Sequence, residues 1–254
     1  MENIFGMSRS KIEEVLISKI EEFVSKNKVG IFSKGEGDVV TSLDLLIDRL
    51  VRELLQKKYR ETYNYVSEES FEELNFPAII IDPIDGTREF VNGIHQWALS
   101  FCVMDGPEIG KSSCAWIFNP ATGFSVSSDQ ARLKNNYWQF PIKNRNVLTG
   151  LVSNSEYEMG LFSEVANPAI KLIPVGSIAY KLGLMASGVC DFVISLKPKN
   201  VWDIAAGTIL NDRDGVNFYS QGVQVTSLNK KRYLPPLLWC KEELFQQLSK
   251  DFEQ

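Results

Sequence analysis

The nine residues Ile79-Ile80-Ile81-Asp82-Pro83-Ile84-Asp85-Gly86-Thr87 constrain this chain more than any other stretch. Three aliphatic β-formers run into a carboxylate, and Pro83 forces Asp82 out of helical geometry. Asp85 comes three residues later. Gly86 permits a positive φ, and Thr87 is suited to cap a helix. The pattern predicts a buried strand whose carboxyl end presents two acids in a tight turn, followed by a helix N-terminus. Two acids so placed suit a hard cation such as Mg²⁺, which takes carboxylate oxygens and keeps waters and substrate phosphate. The backbone N–H groups of the following helix suit the phosphate itself. The plainer reading is an Asp-rich turn that only caps a helix.

The 254 residues allow one large domain or two of ordinary size. A chain of this length should bury roughly 70–75% of its unfolded surface. A net charge of −5 gives no sign of a surface built for a nucleic-acid polymer. Cys102, Cys114, Cys190 and Cys240 lie far apart, without the spacing of a zinc site, and read as reduced, buried thiols of a cytoplasmic protein. The only histidine, His95, has no visible partner and reads as non-catalytic. No apolar run reaches the ~18 residues needed to span a membrane, and Met1 to Phe5 carry no signal-peptide core.

Ser10-Lys11-Ile12-Glu13 has capping-box spacing and opens an amphipathic helix bounded by Gly30. A Gly-rich loop, Lys34 to Asp38, leads to a second amphipathic helix from Leu43 to Leu55, which Thr41 and Asp44 can cap. Tyr63 to Val66 is a short strand ending near the paired acids Glu68-Glu69. Residues 97–104, 113–118 and 124–127 are consecutive strands of an antiparallel meander. The polar, irregular stretch 129–147 suggests a boundary, giving an α+β half over 1–145 and an α/β half over 146–254. In the second half a strand runs into Gly176-Ser177, a helix follows, then a strand over 189–194. In Val201-Trp202-Asp203-Ile204-Ala205-Ala206-Gly207, Asp203 opens a helix whose small residues allow close packing. There Asp203 can equally serve the helix dipole alone.

Asp82-Pro83-Ile84-Asp85-Gly86-Thr87 resembles the DPxDGT signature of the inositol monophosphatase superfamily, which includes the 3′(2′),5′-bisphosphate nucleotidases. Trp202-Asp203-Ile204-Ala205-Ala206-Gly207 resembles its WDxAAG motif, and Lys34…Asp38-x-x-Thr41-x-x-Asp44 resembles a third pattern. The likeness runs from Lys34 to Gly207. It implies a layered αβαβα sandwich of the inositol monophosphatase and fructose-1,6-bisphosphatase type, usually a dimer or larger. It also implies a lithium-sensitive phosphomonoesterase that uses two or three Mg²⁺ ions on a small phosphorylated metabolite. The metal ligands carried over are Glu68, Asp82, the Ile84 carbonyl, Asp85 and Asp203. Glu68, Thr87 and Asp44 would deprotonate and orient the attacking water, with Asp44 bonded to Thr87. Asp85, Gly86, Thr87, Gly176, Ser177 and Asp203 would contact substrate. Ser67 stands where the family has glycine, which matters only if a positive φ is required there.

The substrate is less constrained. Inositol phosphatases carry a sugar-binding acid seven positions before the WDxAAG aspartate, and here that position is Leu196. Lys197 and Lys199 beside it read either as a solvated loop or as contacts to a second phosphate. Arg88-Glu89-Phe90 resembles the nucleotidases. Together these favour 3′-phosphoadenosine 5′-phosphate over inositol-1-phosphate, fructose-1,6-bisphosphate or histidinol phosphate. Two other classes stay open: a non-catalytic phosphate-binding module, and a structural Ca²⁺-binding protein.

Overall fold

The computed structural model describes residues 1–26, 29–35, 38–70, 72–111, 114–129, 147–165 and 167–252. Two sheets and three helical layers alternate. The first sheet has five strands in the order Asn64–Ser67, Ala78–Asp85, Ala98–Met104, Cys114–Asn119 and Phe124–Ser127. Its first pair is parallel and the rest form the expected meander.

Both faces of this sheet are covered, so its strands are apolar throughout rather than alternating with polar residues. Within Ala78–Asp85, Ile79 and Ile81 face the outer helices Arg9–Lys26 and Ser42–Leu54, meeting Ile12, Leu16, Leu43 and Ile47. Ile80 faces the opposite way, into a core with Leu182, Ile204 and Ala205 from the central helices Ile178–Ala186 and Val201–Asp212. The period-two geometry of a strand produces that division.

The second sheet has six strands, in the order Val223–Gln224, Val216–Ser220, Leu237–Lys241, Phe192–Ser195, Leu148–Ser153 and Ile170–Val175. Val193 and Trp239 face the central helices. Phe192, Ile194 and Leu238 face the last helix, Glu242–Asp251, through Leu244, Phe245 and Leu248. The result is the expected αβαβα sandwich. The expected boundary between residues 145 and 146 lies outside the described residues.

Several local expectations shift. A short helix, Glu2–Phe5, comes first, and the expected amphipathic helix starts at Arg9, so Ser10 lies inside it rather than capping it. The Gly-rich loop is flanked by a two-stranded hairpin, Ile31–Gly35 with Asp38–Thr41. The first sheet's second strand does not stop at Asp82. It continues to Asp85 with a register break between the two acids, because Pro83 has no N–H for the ladder. All four cysteines are buried, and none of them forms a disulfide. Among the described residues, no helix is long and apolar enough to cross a membrane.

Candidate active site

The register break at Pro83 points two acids the same way. Asp82 is buried and its Oδ1 accepts the Ile84 N–H at 3.0 Å, which closes the bulge. Asp85 still pairs with Ala98 in the neighbouring strand. Asp203 arrives from the other sheet's side, in the first turn of Val201–Asp212. There Oδ2 accepts the Asn200 N–H at 2.8 Å in a capping box, so its helix-terminal role and its place in the site coexist. The Ser100 hydroxyl donates to the Trp202 carbonyl at 2.9 Å and ties this helix to the first sheet. Carboxylate oxygens of Asp82, Asp85 and Asp203 lie within 4.8 Å of one another.

Glu68 lies outside that tight group but beside Asp82, near enough for its charge and side chain to raise that carboxyl. Burial, and then the charges of Glu68, Asp85 and Asp203, push the Asp82 carboxyl well above the carboxylate range. Burial and Asp85 raise Asp203 in the same way, with Lys199 opposing. Such crowding of hard oxygen donors is what a divalent cation relieves, so these residues fit Mg²⁺. Ser67, in place of the family glycine, needs no positive φ. Its hydroxyl bonds Asp48 Oδ1 at 2.6 Å.

Thr87 opens the short helix Thr87–Val91 after Gly86, whose φ is +94°. The Thr87 hydroxyl is 3.0 Å from the Ile84 carbonyl and 3.4 Å from Asp44 Oδ1. A single O–H serves one acceptor at a time, so this proton can swing between them. Asp44 is buried, and its other oxygen takes the Thr41 hydroxyl at 2.5 Å and the Thr41 N–H at 2.8 Å. Burial raises Asp44, against those two hydrogen bonds.

Gly176 and Ser177 form the opposite wall. The Ser177 hydroxyl and the Ala179 N–H each donate to Asp85 Oδ2 at 2.5 Å. Lys199 is half-buried and its charge acts on Asp203 and Lys181. Lys197 instead rests its ammonium on Met159 Sδ, 3.3 Å away, and the structure does not bring it to the acids. Leu196 packs outward beside the Phe245 cluster.

Three residues escaped the sequence reading. Lys181 is buried under the Gly176–Ser177 wall, donating to the Val175 carbonyl at 2.9 Å. Burial and the like charge of Lys199 lower it to about 8, against the attraction of Asp85, Glu156 and Glu89. The signal was a single charge in an otherwise apolar nine-residue helix. Glu156 is also fully buried, accepting the Ser195 hydroxyl at 2.7 Å and the Leu196 N–H at 2.9 Å. Gln96, which joins strand ends from both sheets, left no local pattern.

The sequence matches the profile of the inositol monophosphatase family over residues 6–216. It is 27% identical over 210 residues to a fructose-1,6-bisphosphatase/inositol-1-monophosphatase of Aquifex aeolicus, covering 77% of this chain and 78% of that protein. Its fold superposes on an IMPase of Thermotoga maritima with a TM-score of 0.71 at 22% identity, over 95% and 92% of the two chains. It superposes equally, at 14% identity over 94% and 91%, on an IMPase/NADP phosphatase crystallised with Mg²⁺ and phosphate. A profile match over most of the chain, on a fold that brings the two motifs' acids together, makes this chain a phosphatase of the inositol monophosphatase family.

Proposed function

We propose that the chain is a Mg²⁺-dependent phosphomonoesterase acting on a small metabolite with two phosphates, 3′-phosphoadenosine 5′-phosphate being the favoured case. The observation that carries the reading is the meeting of Asp82, Asp85 and Asp203 beside the Thr87–Asp44 pair. Glu68, Asp82, Asp85, Asp203 and the Ile84 carbonyl would hold two or three Mg²⁺ ions. Bound there, Mg²⁺ would neutralise the phosphoryl oxygens and acidify a water. Asp44 keeps an oxygen turned to the Thr87 hydroxyl, so Thr87 can orient a water and pass a proton inward. Glu68, half-buried at the rim, is the second proton acceptor. The N–H groups of Gly86 and Thr87 hold the phosphoryl group, while Asp85, Asp203, Gly176 and Ser177 contact the rest of the substrate. Water's oxygen bonds to phosphorus as the ester oxygen leaves, a step driven by positioning and charge neutralisation.

Lys199, half-buried and near enough for its charge to act on Asp203, supports the second phosphate. Lys197, turned to Met159, drops out of that role. The names of the relatives favour a second reading, inositol-1-phosphate or fructose-1,6-bisphosphate. Lithium sensitivity, a homodimer and a cytoplasmic setting belong to the proposal as well. The test is phosphate release from 3′-phosphoadenosine 5′-phosphate, inositol-1-phosphate, fructose-1,6-bisphosphate and histidinol phosphate, each with Mg²⁺, with EDTA and with added Li⁺. The expected result is Mg²⁺-dependent preference for the bisphosphonucleotide. Preference for inositol-1-phosphate would move the substrate, and no release from any would move the chain to a non-catalytic phosphate-binding role.

A further inference from the structure

Ser177 adopts φ 54° and ψ 126°, a conformation that side chains rarely take. Such backbone persists only where its surroundings over-determine it. The strain lies next to the acids, since the Ser177 hydroxyl and the Ala179 N–H hold Asp85. Something must fix this loop against the first sheet.

Gln96 does so. It stands just before Ala98, the residue paired with Asp85. Its Oε1 accepts the buried Gly176 N–H at 2.8 Å and the Asn154 amide at 3.0 Å. Both partners are donors, which places the oxygen, not the nitrogen, between them. The Gln96 backbone carbonyl is wedged between two glycines. A Cβ on Gly176 would come within 2.8 Å of it, and one on Gly86 within 3.2 Å. One residue therefore spaces the Gly86 turn of the first sheet from the Gly176 turn of the second. The buried Gly176 N–H needs an acceptor, and Gln96 supplies it from across the site.

We propose that Gln96 is a positioning residue: it sets the Gly176–Ser177 loop and, through Ser177, aims Asp85 at the cation site. The inference rests on the reading of Asp85 as a metal ligand. Partners one step removed from a metal ligand typically change affinity 10–100-fold when lost.

The test compares Gln96→Met, of similar length but without an acceptor, with Gln96→Glu, whose carboxylate can accept the same two hydrogen bonds. Two quantities are read on the full chain: the Mg²⁺ concentration at the midpoint of the metal-induced rise in melting temperature, and kcat and KM for the best substrate. Gln96→Met is expected to raise the Mg²⁺ midpoint about tenfold, with Gln96→Glu within about threefold of wild type. An unchanged midpoint in Gln96→Met, or an equal shift in Gln96→Glu, overturns the proposal. If Gln96→Met does not fold, Asn154→Ala decides: a raised midpoint supports the clamp, and an unchanged one overturns it. Wild-type protein that binds Mg²⁺ but releases no phosphate would sink the phosphatase reading alone, because the midpoint needs no turnover. Wild-type protein without a Mg²⁺ response would overturn both.

Discussion

The Ser177 hydroxyl donates to Asp85 Oδ2 at 2.5 Å, although 92 residues separate them in the chain. The same oxygen takes the Ala179 N–H, and Ser177 Oγ in turn accepts the Tyr180 N–H at 2.9 Å. One acid of the first sheet thus serves as an external cap on a central helix. The cation site and the substrate wall are one hydrogen-bonded unit, so either cannot move without the other.

Asp82→Asn is the direct test of the acid cluster. The wild-type carboxyl is strained by burial and three neighbouring acids. In EDTA the variant should melt no lower than wild type, because the neutral amide takes the place of a carboxyl that burial and its neighbours already keep from ionising. Adding Mg²⁺ should stabilise wild type, by about 2.7 kcal/mol at a hundredfold excess over Kd, and the variant far less. Phosphate release should fall to background. Thermal melts with and without Mg²⁺, beside the phosphate assay, check this.

Lys181→Met separates charge from packing. The folded state lowers Lys181 to about 8 from its ordinary 10.5. Between those values the unfolded chain holds the proton that the folded chain has given up, so wild-type stability from this group rises with pH. Below about 8 both states are protonated and the burial penalty is fully present. Lys181→Met should therefore be the more stable protein near neutrality. Its advantage should shrink by roughly 3 kcal/mol as pH climbs to about 10.5. Denaturant unfolding of both proteins across that window is the measurement, and a difference flat with pH would refute the buried-cation account.

Gly207→Ala probes the contact that brings Asp203 into place. A Cβ there would sit 2.4 Å from Leu182 Cβ, where the two central helices touch. Overpacking of this kind costs about 1–3 kcal/mol, which lowers the melting temperature by several degrees in a chain of this size. Because the displaced helix carries Asp203, the Mg²⁺ midpoint should rise as well. A melt and a Mg²⁺ titration report the two effects separately.

Thr41→Ala removes a helix cap and a donor to Asp44 together. Loss of the cap should cost about 1 kcal/mol. Asp44, freed on one side, should hold the Thr87 hydroxyl less well, lowering kcat with little change in KM. Thr41→Ser keeps both bonds and should restore both stability and kcat, which steady-state kinetics and melting would show.

What local chemistry dictates was legible before any coordinates. The Ile79–Ile81 run, the Thr41 and Asp44 cap, and the glycine-permitted turn at Gly86 each follow from residue types within a few positions of one another. So does the placement of Asp203 in a first helical turn. Two motifs over a hundred residues apart also identified the family and its sandwich fold. The strand's continuation through Pro83 to Asp85 was less accessible, because pairing with Ala98 overrides the break that proline announces locally. The central place of Leu237–Lys241 in the second sheet was hidden for the same reason: strand order is set by distant partners. Gln96 and Glu156 owe their roles wholly to tertiary structure, and for Lys181 the sequence shows only a lone charge in an apolar helix. Each meets its site through partners brought together by the packing of the two sheets, and burial, which gives Lys181 its altered basicity, exists only once those layers close.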